Sequence, residues 1–392
     1  MHVLLIIAAL KALAENAVSF ILPLWAFQLT QSNDLMSHVR LFEYLPFLVL
    51  GFIIGTLVDR IGSRRGFIGG TIGQIAVLIL LSWQGADSPL LLYTLVFVLM
   101  GMMYFANNAL IVQSKYTIPE NKLIKYNKYN NMISSVLENV GPALTGALLL
   151  YLTYIQAIRL LWILLLIALI ISIFTFRSSA PSVKKPFISD IIYGFKALYN
   201  LKNLWVLSWW TGFANSIIVV SGVLIMFSAK SLLQLSDFEV GLIFSAGGVG
   251  AVLGSWMSER IEQRLGVIRV LVYSIPLIGL LYLLTSLYIS AITLTLMMFF
   301  EAFLFSIYVV CVRTYRLVVA PAHDLGKING ITGSIFKMFM PISLAAYGAS
   351  DGILTTAQVL ALMGGLYITG SLLLIASNAL VMEEKLSDSF ES

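Results

Sequence analysis

Charged residues are scarce in this 392-residue sequence. Lysine, arginine, aspartate and glutamate make up 11% of the chain, whereas soluble domains carry about 25%. Hydrophobic residues account for 59%, in long runs separated by short polar stretches. So few charges cannot cover the surface of a soluble fold of this length. The composition therefore excludes an ordinary soluble protein and predicts a membrane protein with several spans.

Cysteine and histidine are also nearly absent. The one cysteine, Cys311, excludes a disulfide framework and any zinc or iron–sulfur site built from cysteines of this chain. The three histidines, His2, His38 and His323, lie far apart and show no metal-ligand spacing. The sequence also lacks a G-x-x-x-x-G-K-[ST] loop and an H-E-x-x-H motif, which disfavours an ATP-driven pump and a metalloprotease. We therefore predict no bound metal, no cofactor and no enzymatic activity.

Twelve apolar segments follow one another, each long enough to cross a hydrocarbon core of about 30 Å. They are residues 3–29, 37–58, 66–83, 90–113, 128–150, 155–176, 204–229, 238–258, 267–286, 289–312, 329–349 and 356–381. The runs are continuous, whereas membrane strands alternate apolar and polar residues. The first run lacks the cationic start and cleavage site of a signal peptide, so we expect it to remain as a span. The predicted fold class is an all-α membrane protein with twelve transmembrane helices.

Lysine and arginine are distributed unevenly among the connections between these segments. With the N-terminus inside, the 24 cations lie in the inner connections and the C-terminal tail, apart from Lys11, Arg40, Arg159, Lys230 and Lys337. Such a bias predicts a multi-pass protein of the cell membrane with both termini in the cytoplasm. It also accounts for the net charge of +5, so we expect no nucleic-acid partner.

The longest inner connection divides the chain into two sets of six segments. The predicted parts are an N-terminal half, a cytoplasmic linker, a C-terminal half and a cytoplasmic tail, at residues 1–176, 177–203, 204–382 and 383–392. The linker starts polar and then places apolar residues such as Ile191, Phe195 and Leu198 at intervals of three to four. This spacing predicts an amphipathic helix in the cytoplasmic interface. A solvated linker that is helical only in part is the alternative.

The connection after the second segment carries a motif. It contains Gly55, Asp59, Arg60, Gly62, Arg64 and Arg65. Glycine allows helices to approach closely and the chain to turn tightly. Aspartate can accept hydrogen bonds from arginine, and the arginines favour a cytoplasmic position of the loop. The spacing resembles G-x-x-x-D-R-x-G-R-R, the cytoplasmic signature of the major facilitator superfamily. The stretch Gly254–Gly266 is similar to a degenerate second copy. An ordinary cytoplasmic loop is the alternative interpretation.

This resemblance covers essentially the whole chain. It implies two six-helix halves and a secondary transporter that works by alternating access, with the loop motif as a conformational switch. Within the superfamily the chain looks closest to the macrolide-efflux-like exporters, through the stretches 22–30, 118–123, 331–335 and 340–342. Gly141, Pro142 and Gly146 resemble the end of the antiporter motif, which favours export. A kinked helix without directional meaning is the alternative.

Six ionisable residues lie well inside the predicted spans, at Lys11, Glu15, Glu43, Glu138, Glu301 and Lys337. Each costs about 2.5–3.5 kcal/mol in hydrocarbon if unpaired, so each should face a partner or a cavity. Lys11 and Glu15 share a helix face and can pair. Glu301 has apolar neighbours and no cation within a helical turn. We therefore predict Glu301 as the proton-coupling residue, with Glu15 and Glu138 as the other candidates.

A substrate cavity should expose polar and aromatic groups on its lining helices. The resemblance implies that spans 1, 4, 7 and 10 line such a cavity. The candidate residues are Lys11, Glu15, Asn107, Asn108, Asn215, Trp25, Tyr104, Phe213, Tyr308 and Lys337. Helix packing is the alternative for the aromatic residues, inter-helix hydrogen bonding for the asparagines, and contact with the lipid head groups for Lys337.

These features together predict a transporter that exports an amphipathic small molecule, of drug or macrolide type, in exchange for protons. The expected partners are that molecule, protons and the lipid bilayer, and we expect the chain to act as a monomer. An exporter of a self-made metabolite such as a siderophore or metallophore is the alternative within transport. A membrane receptor or scaffold without transport is the alternative from another class.

Overall fold

The computed structural model describes residues 1–84, 88–176, 187–321 and 325–376, whose regular structure is helical throughout. The helices are α1 (His2–Thr30), α2 (Asn33–Ile61), α3 (Ser63–Gln84), α4 (Pro89–Thr117), α5 (Glu120–Leu148), α6 (Tyr154–Thr175), α7 (Phe187–Asn200), α8 (Lys202–Phe227), α9 (Asp237–Leu265), α10 (Val267–Leu287), α11 (Ala291–Val319), α12 (Leu325–Met338), α13 (Met340–Ala349) and α14 (Thr356–Ala376). A π-helical turn, Ser228–Leu232, follows α8 directly.

Nine helices among the described residues are long and apolar enough to cross a membrane. They are α1, α3, α4, α6, α8 with its π-helical turn, α9, α10, α11 and α14. The other predicted spans fall on α2, α5 and the pair α12 and α13. Helix α5 begins with a polar stretch, and α12 is only 14 residues long. The all-α class is confirmed, whereas the count of twelve spans stays a prediction.

The predicted span 329–349 is not one helix. Helix α12 ends at Met338 and α13 begins at Met340, with a turn at Phe339 between them. Pro341 has no backbone N–H, and its ring clashes with the carbonyl group four residues earlier. The prediction of a continuous helix is therefore wrong at this point, and Pro341 accounts for the interruption.

Two glycines end helices in the same way in the two predicted halves. Gly62 separates α2 from α3 with a φ of 89°, and Gly266 separates α9 from α10 with a φ of 81°. Residues with a Cβ rarely adopt this conformation, so glycine lets one helix end and the next begin within a single residue. The turn predicted at Gly62 is present, and the same turn recurs at the end of the degenerate copy.

The amphipathic part of the predicted linker is helical. It forms α7, which packs on α12 and leaves Ile192 and Tyr199 exposed while Leu198 is buried. Its position in the membrane interface stays a prediction. Residues 177–186 of the linker and the tail 383–392 lie outside the described residues.

The first of two compact units consists of the described parts of Met1–Lys185, Gly222–Ser245 and Pro341–Asp351. In it, α1 packs against α2, α5 and α6, and α4 packs against α2 and α3. The buried side chains of Leu22, Leu78, Leu99 and Leu161 belong to one cluster that joins these helices. This arrangement brings α1, α4 and α5 close enough to share a site.

The second unit consists of the described parts of Pro186–Ser221, Ala246–Met340 and Gly352–Ser392. Here α10 packs against α11 and α14. Gly279 on α10 and Gly364 on α14 face each other so closely that a Cβ added to Gly364 would lie 2.6 Å from the Gly279 carbonyl oxygen. Small residues allow such backbone approach between membrane helices. The division of the sequence into six-helix halves stays a prediction.

We expect the Gly364→Ala variant to be less stable than the parent protein. Its methyl group would meet the Gly279 carbonyl and Leu283, and overpacking of this kind costs about 1–3 kcal/mol. The neighbouring variant Gly365→Ala is the matched control, because no atom lies within 4 Å of its added Cβ. Thermal unfolding of the detergent-purified proteins should show a lower midpoint for Gly364→Ala alone. Equal midpoints for the two variants would contradict the close contact.

Candidate functional site

A buried ion pair on α1 is joined to α4 by an amide. Lys11 Nζ donates to Glu15 Oε1, as the four-residue spacing predicts. Asn107 Nδ2 donates to Glu15 Oε2 at 3.0 Å. The Lys11 side chain is 2% exposed and the Glu15 side chain is 12% exposed. Both carboxylate oxygens therefore have donors, and the charge of Lys11 is compensated by Glu15.

A cavity of about 380 Å³ lies beside this ion pair, within the first unit, between α1, α4 and α5. Its apolar lining consists of Ala8, Ala12, Leu110 and Ile111. Its polar lining consists of Lys11, Glu15, Asn16, Asn107, Ser114, Tyr126, Asn127, Asn130, Ser134 and Glu138. Concave sites of this size with converging polar groups are typical of small-molecule binding. We refer to this space as the α1–α4–α5 cavity.

One face of α5 supplies lining residues that the sequence analysis missed. Asn127, Asn130, Ser134 and Glu138 follow one another at intervals of three or four residues, so they share one face of the helix. Only Glu138 stands out in the sequence, because a carboxylate at membrane depth is unusual and an asparagine is less so. The regular spacing of the four polar residues is the signal that could have identified this face.

Glu138 differs from Glu15 in its charge balance. The ion pairs among the described residues are Lys11–Glu15, His38–Asp34, Arg40–Glu43 and Lys230–Asp237. None of them includes Glu138. Since Lys11 and Glu15 cancel, the ionised Glu138 carboxylate would give the described lining of the cavity a net negative charge.

A second buried carboxylate, Glu301, lies on α11 in the second unit. Its Oε1 is 2.9 Å from Ser221 Oγ on α8, and Tyr282 OH on α10 donates to its Oε2 at 2.8 Å. Glu301 is 4% exposed. No cation of the described residues lies within ion-pair distance of it. Among the described residues, therefore, neutral hydroxyl groups alone make hydrogen bonds to this carboxylate.

Two tyrosines extend the surroundings of Glu301. The ring of Tyr282 stacks on the ring of Tyr367 from α14, with centroids 5.7 Å apart. Tyr367 OH donates to the Ala214 carbonyl oxygen on α8 at 2.6 Å. Both tyrosines are fully buried. Four helices, α8, α10, α11 and α14, thus contribute to one compact polar cluster.

Other predicted cavity residues of the second unit contact groups of the protein itself. Asn215 Nδ2 donates to the Phe336 carbonyl oxygen at 2.9 Å, and the Tyr308 hydroxyl lies 2.8 Å from Thr211 Oγ1. Phe213 packs against Trp210 at a centroid distance of 5.5 Å. The contacts of Asn215 and Tyr308 join α8 to α12 and α11, whereas Phe213 and Trp210 both lie on α8. Contact with a substrate stays a prediction for all three candidates.

The remaining candidates lie outside the α1–α4–α5 cavity. Asn108 Nδ2 donates to the Tyr104 carbonyl oxygen one turn earlier on α4, at 2.8 Å. The Tyr104 ring lies 4.7 Å from the ring of Phe47 on α2. Trp25 is buried on α1, and Lys337 is exposed on α12. Of the predicted residues, the cavity brings together Lys11, Glu15, Asn107 and Glu138.

The loop motif connects three helices. Gly62 forms the turn between α2 and α3, and Arg64 donates through Nη2 to the Ile173 carbonyl oxygen on α6 at 3.0 Å. Arg60 and Arg65 are exposed. Gly55 and Asp59 lie on α2, and their side chains are outside those that the structure describes. A role in conformational switching stays a prediction for the whole motif.

The antiporter-like motif on α5 packs against the start of α9 within the first unit. A Cβ added to Gly146 would lie 2.6 Å from the Asp237 carbonyl oxygen, and one added to Gly241 would lie 2.5 Å from the Pro142 carbonyl oxygen. Gly141 has only an ordinary contact, 3.6 Å from Asn16 Cβ. Gly146 and Gly241 therefore allow α5 and α9 to touch through their backbones.

A polar network lies at the same crossing. Lys230 Nζ, on the π-helical turn, donates to Asp237 Oδ1 at 2.7 Å. Tyr154 OH donates to Asp237 Oδ2 at 2.6 Å. Asp237 thus connects the first turns of α6 and α9 to the turn that follows α8.

The stretch Gly348–Gly352 matches the G-x-S-x-G pattern of serine hydrolases, which the sequence analysis missed. It lies at the end of α13 rather than between a strand and a helix, and Ser350 Oγ donates to the Tyr347 carbonyl oxygen at 2.7 Å. No group of three His, Cys, Asp or Glu side chains that the structure describes could hold a metal ion.

Comparison with known proteins places these features in a family. The family model of the Major Facilitator Superfamily matches residues 4–343. No curated protein matches the sequence significantly. Similar solved structures include the nucleoside transporter NupG, with a TM-score of 0.77 and 12% identity over 95% of this chain and 98% of that one.

Two bacterial structures also have the same fold. A bacterial homologue of the iron transporter ferroportin, in an inward-facing state, has a TM-score of 0.71 and 15% identity, and a bacterial metal transporter has a TM-score of 0.66 and 16% identity. Each match covers 97% of both chains. With the family match over most of its length, this multi-pass membrane protein belongs to the Major Facilitator Superfamily.

Proposed function

We propose that the protein is a secondary active transporter that exports an amphipathic small molecule from the cytoplasm by alternating access, in exchange for protons. The observation that carries this proposal is the buried Glu301 carboxylate, which only hydroxyl groups contact among the described side chains. An ionisable residue at membrane depth is costly and usually functional. We place the protein in the cell membrane as a monomer with both termini in the cytoplasm.

The hydrogen bonds around Glu301 suit both protonation states. When the carboxyl is ionised, it can accept from Tyr282 and Ser221. When it is protonated on Oε1, it can donate to Ser221 Oγ. The Ser221 hydroxyl then donates its own proton to the Ile218 carbonyl oxygen, 2.9 Å away. Tyr282 can donate to Oε2 in either case. A proton can therefore be gained or lost without leaving a buried donor unsatisfied, which is what a proton carrier requires.

Glu15 suits a different role. Lys11 and Asn107 already use both of its oxygens, and protonation of Glu15 would leave the Lys11 ammonium group buried without its counter-charge. We therefore assign the Lys11–Glu15 pair to maintaining the wall of the α1–α4–α5 cavity. Glu138 lines the same cavity without an ion-pair partner among the described residues, which suits substrate binding.

Export and the macrolide-efflux subtype are supported by sequence resemblance. The stretches at 22–30 and 118–123 resemble those exporters, and Gly141, Pro142 and Gly146 resemble the antiporter motif. The close contact of Gly146 with α9 fits a helix crossing that has to pack tightly. A macrolide is therefore the appropriate first transport probe.

We expect everted membrane vesicles that contain the protein to accumulate radiolabelled erythromycin only while a proton gradient is imposed. Export from the cytoplasm corresponds to uptake into everted vesicles, and inward proton flow drives it. A protonophore should reduce accumulation to the level of vesicles without the protein. Accumulation that resists the protonophore would contradict proton coupling.

The Glu301→Gln variant should lose this gradient-driven accumulation while it retains exchange of labelled for unlabelled erythromycin in proteoliposomes. Glutamine keeps the hydrogen-bonding capacity but cannot carry a proton. Glu239→Gln, exposed in the first turn of α9 and outside both copies of the loop motif, is the matched control and should behave like the parent. If Glu301→Gln accumulates erythromycin as the parent does, Glu301 is not the proton carrier.

The Asp59→Asn variant should bind erythromycin with unchanged affinity and transport it at least about tenfold more slowly, as expected of a residue that acts on a conformational step. Its control is Asp34→Asn at the start of α2, outside the loop motif. Affinity is measured on purified protein and rate in proteoliposomes. A parallel loss of affinity and rate would place Asp59 in binding rather than in switching.

A further inference from the structure

The α1–α4–α5 cavity has a distinctive charge pattern. Lys11 and Glu15 neutralise each other, and Glu138 is in no ion pair with the described residues. Lys11 is the only cation among the lining residues that the structure describes. A single negative charge is therefore left for a ligand to neutralise. An anionic chelator would find no uncompensated cation in this lining.

The amides of the cavity provide the second observation. The side chains of Asn16, Asn127 and Asn130 line the space, and they make no side-chain hydrogen bond within the part of the chain that the structure describes. Each amide offers two donors and one acceptor oxygen. Such groups recognise hydroxyl groups, which also donate and accept. The apolar residues Leu110 and Ile111 complete the lining on α4.

The positions along α5 give the cavity a direction. Tyr126 and Asn127 lie toward the end of α5 that the positive-inside pattern places at the cytoplasm. Glu138 lies twelve residues farther along the helix than Tyr126, or about 18 Å deeper at 1.5 Å per residue. A ligand entering from the cytoplasm meets Asn127 and Asn130 first and Glu138 later, while Asn16 on α1 lies beside Gly141, one turn beyond Glu138.

We propose that this cavity binds an amphiphile whose head group combines one protonated amine with several hydroxyl groups. The amine contacts Glu138, the hydroxyl groups contact Asn16, Asn127 and Asn130, and the apolar part contacts Leu110 and Ile111. This assignment rests on the proposed function, since it names the class of molecule that the transporter carries. A volume of about 380 Å³ accommodates such a head group.

Two probes that differ in one group provide the test. N-octyl-N-methylglucamine carries a protonated amine at neutral pH, and N-octanoyl-N-methylglucamide is its neutral amide with the same polyol and chain length. Calorimetric titration into the protein in lipid nanodiscs, corrected with empty nanodiscs, should give at least about tenfold tighter binding of the amine. Octyl glucuronide, an anionic probe, should bind more weakly than both.

Variants test whether the preference for the amine depends on the Glu138 carboxylate. Glu138→Gln should abolish the advantage of the amine while leaving the amide affinity within about twofold of the parent. Asn127→Ala should weaken both probes equally. The exposed Glu239→Gln is the matched control and should change neither affinity. Thermal unfolding of each variant checks its folding, and the preference of the parent protein stands as a test even if Glu138→Gln does not fold.

Equal affinities of the parent protein for the amine and the amide would overturn the assignment. So would a preference for the amine that remains in Glu138→Gln, or a higher affinity of the parent protein for octyl glucuronide than for the amine. A different result would contradict the proposed function without contradicting the cavity assignment. If the amine binds as expected but proteoliposomes neither transport it nor release protons in response to it, the cavity assignment stands and the transport proposal does not.

Discussion

The cost of placing charge where water is scarce constrains this structure more than any other factor. An ionised side chain in the low-dielectric interior needs a counter-charge, donors or access to water. The buried charged residues of this chain meet this requirement in different ways. Lys11 and Glu15 neutralise each other with help from Asn107, and Arg40 pairs with Glu43 at 2.6 Å. Among the described side chains, hydroxyl groups alone make hydrogen bonds to Glu301, so no described cation compensates its charge.

Contacts that are local in sequence could be predicted, and contacts that depend on tertiary packing could not. The apolar runs predict the positions of the helices, and the spacing of Lys11 and Glu15 predicts their ion pair. Ser221 and Tyr282, which contact Glu301, lie 80 and 19 residues from it in the sequence and on different helices. No spacing rule relates such positions, because the packing of the helices brings them together. The break at Phe339 was missed since the apolar run continues through Pro341.

Close backbone contact recurs at the helix crossings. Lipid tails are as apolar as leucine, so burial of apolar surface contributes little to pairing one membrane helix with another. The chain instead brings backbones together at glycines, as at Gly146 and Gly241 on α5 and α9 and at Gly279 and Gly364 on α10 and α14. The antiporter-like motif fits this pattern, so part of its sequence signature reflects packing.

The contact between Gly279 and Gly364 has a mechanical consequence for the polar cluster around Glu301. Three residues beyond each glycine lie Tyr282 and Tyr367, whose rings stack. Helices α10 and α14 thus contact each other at two adjacent turns, through the glycine backbones and through the stacked tyrosine rings. We expect them to move together as one rigid pair of helices. Of the two hydroxyl groups that contact Glu301, that of Tyr282 belongs to this pair of helices and that of Ser221 lies on α8. A displacement of α11 against this pair of helices would lengthen the hydrogen bond between Tyr282 and Glu301, so that bond is sensitive to the position of α11.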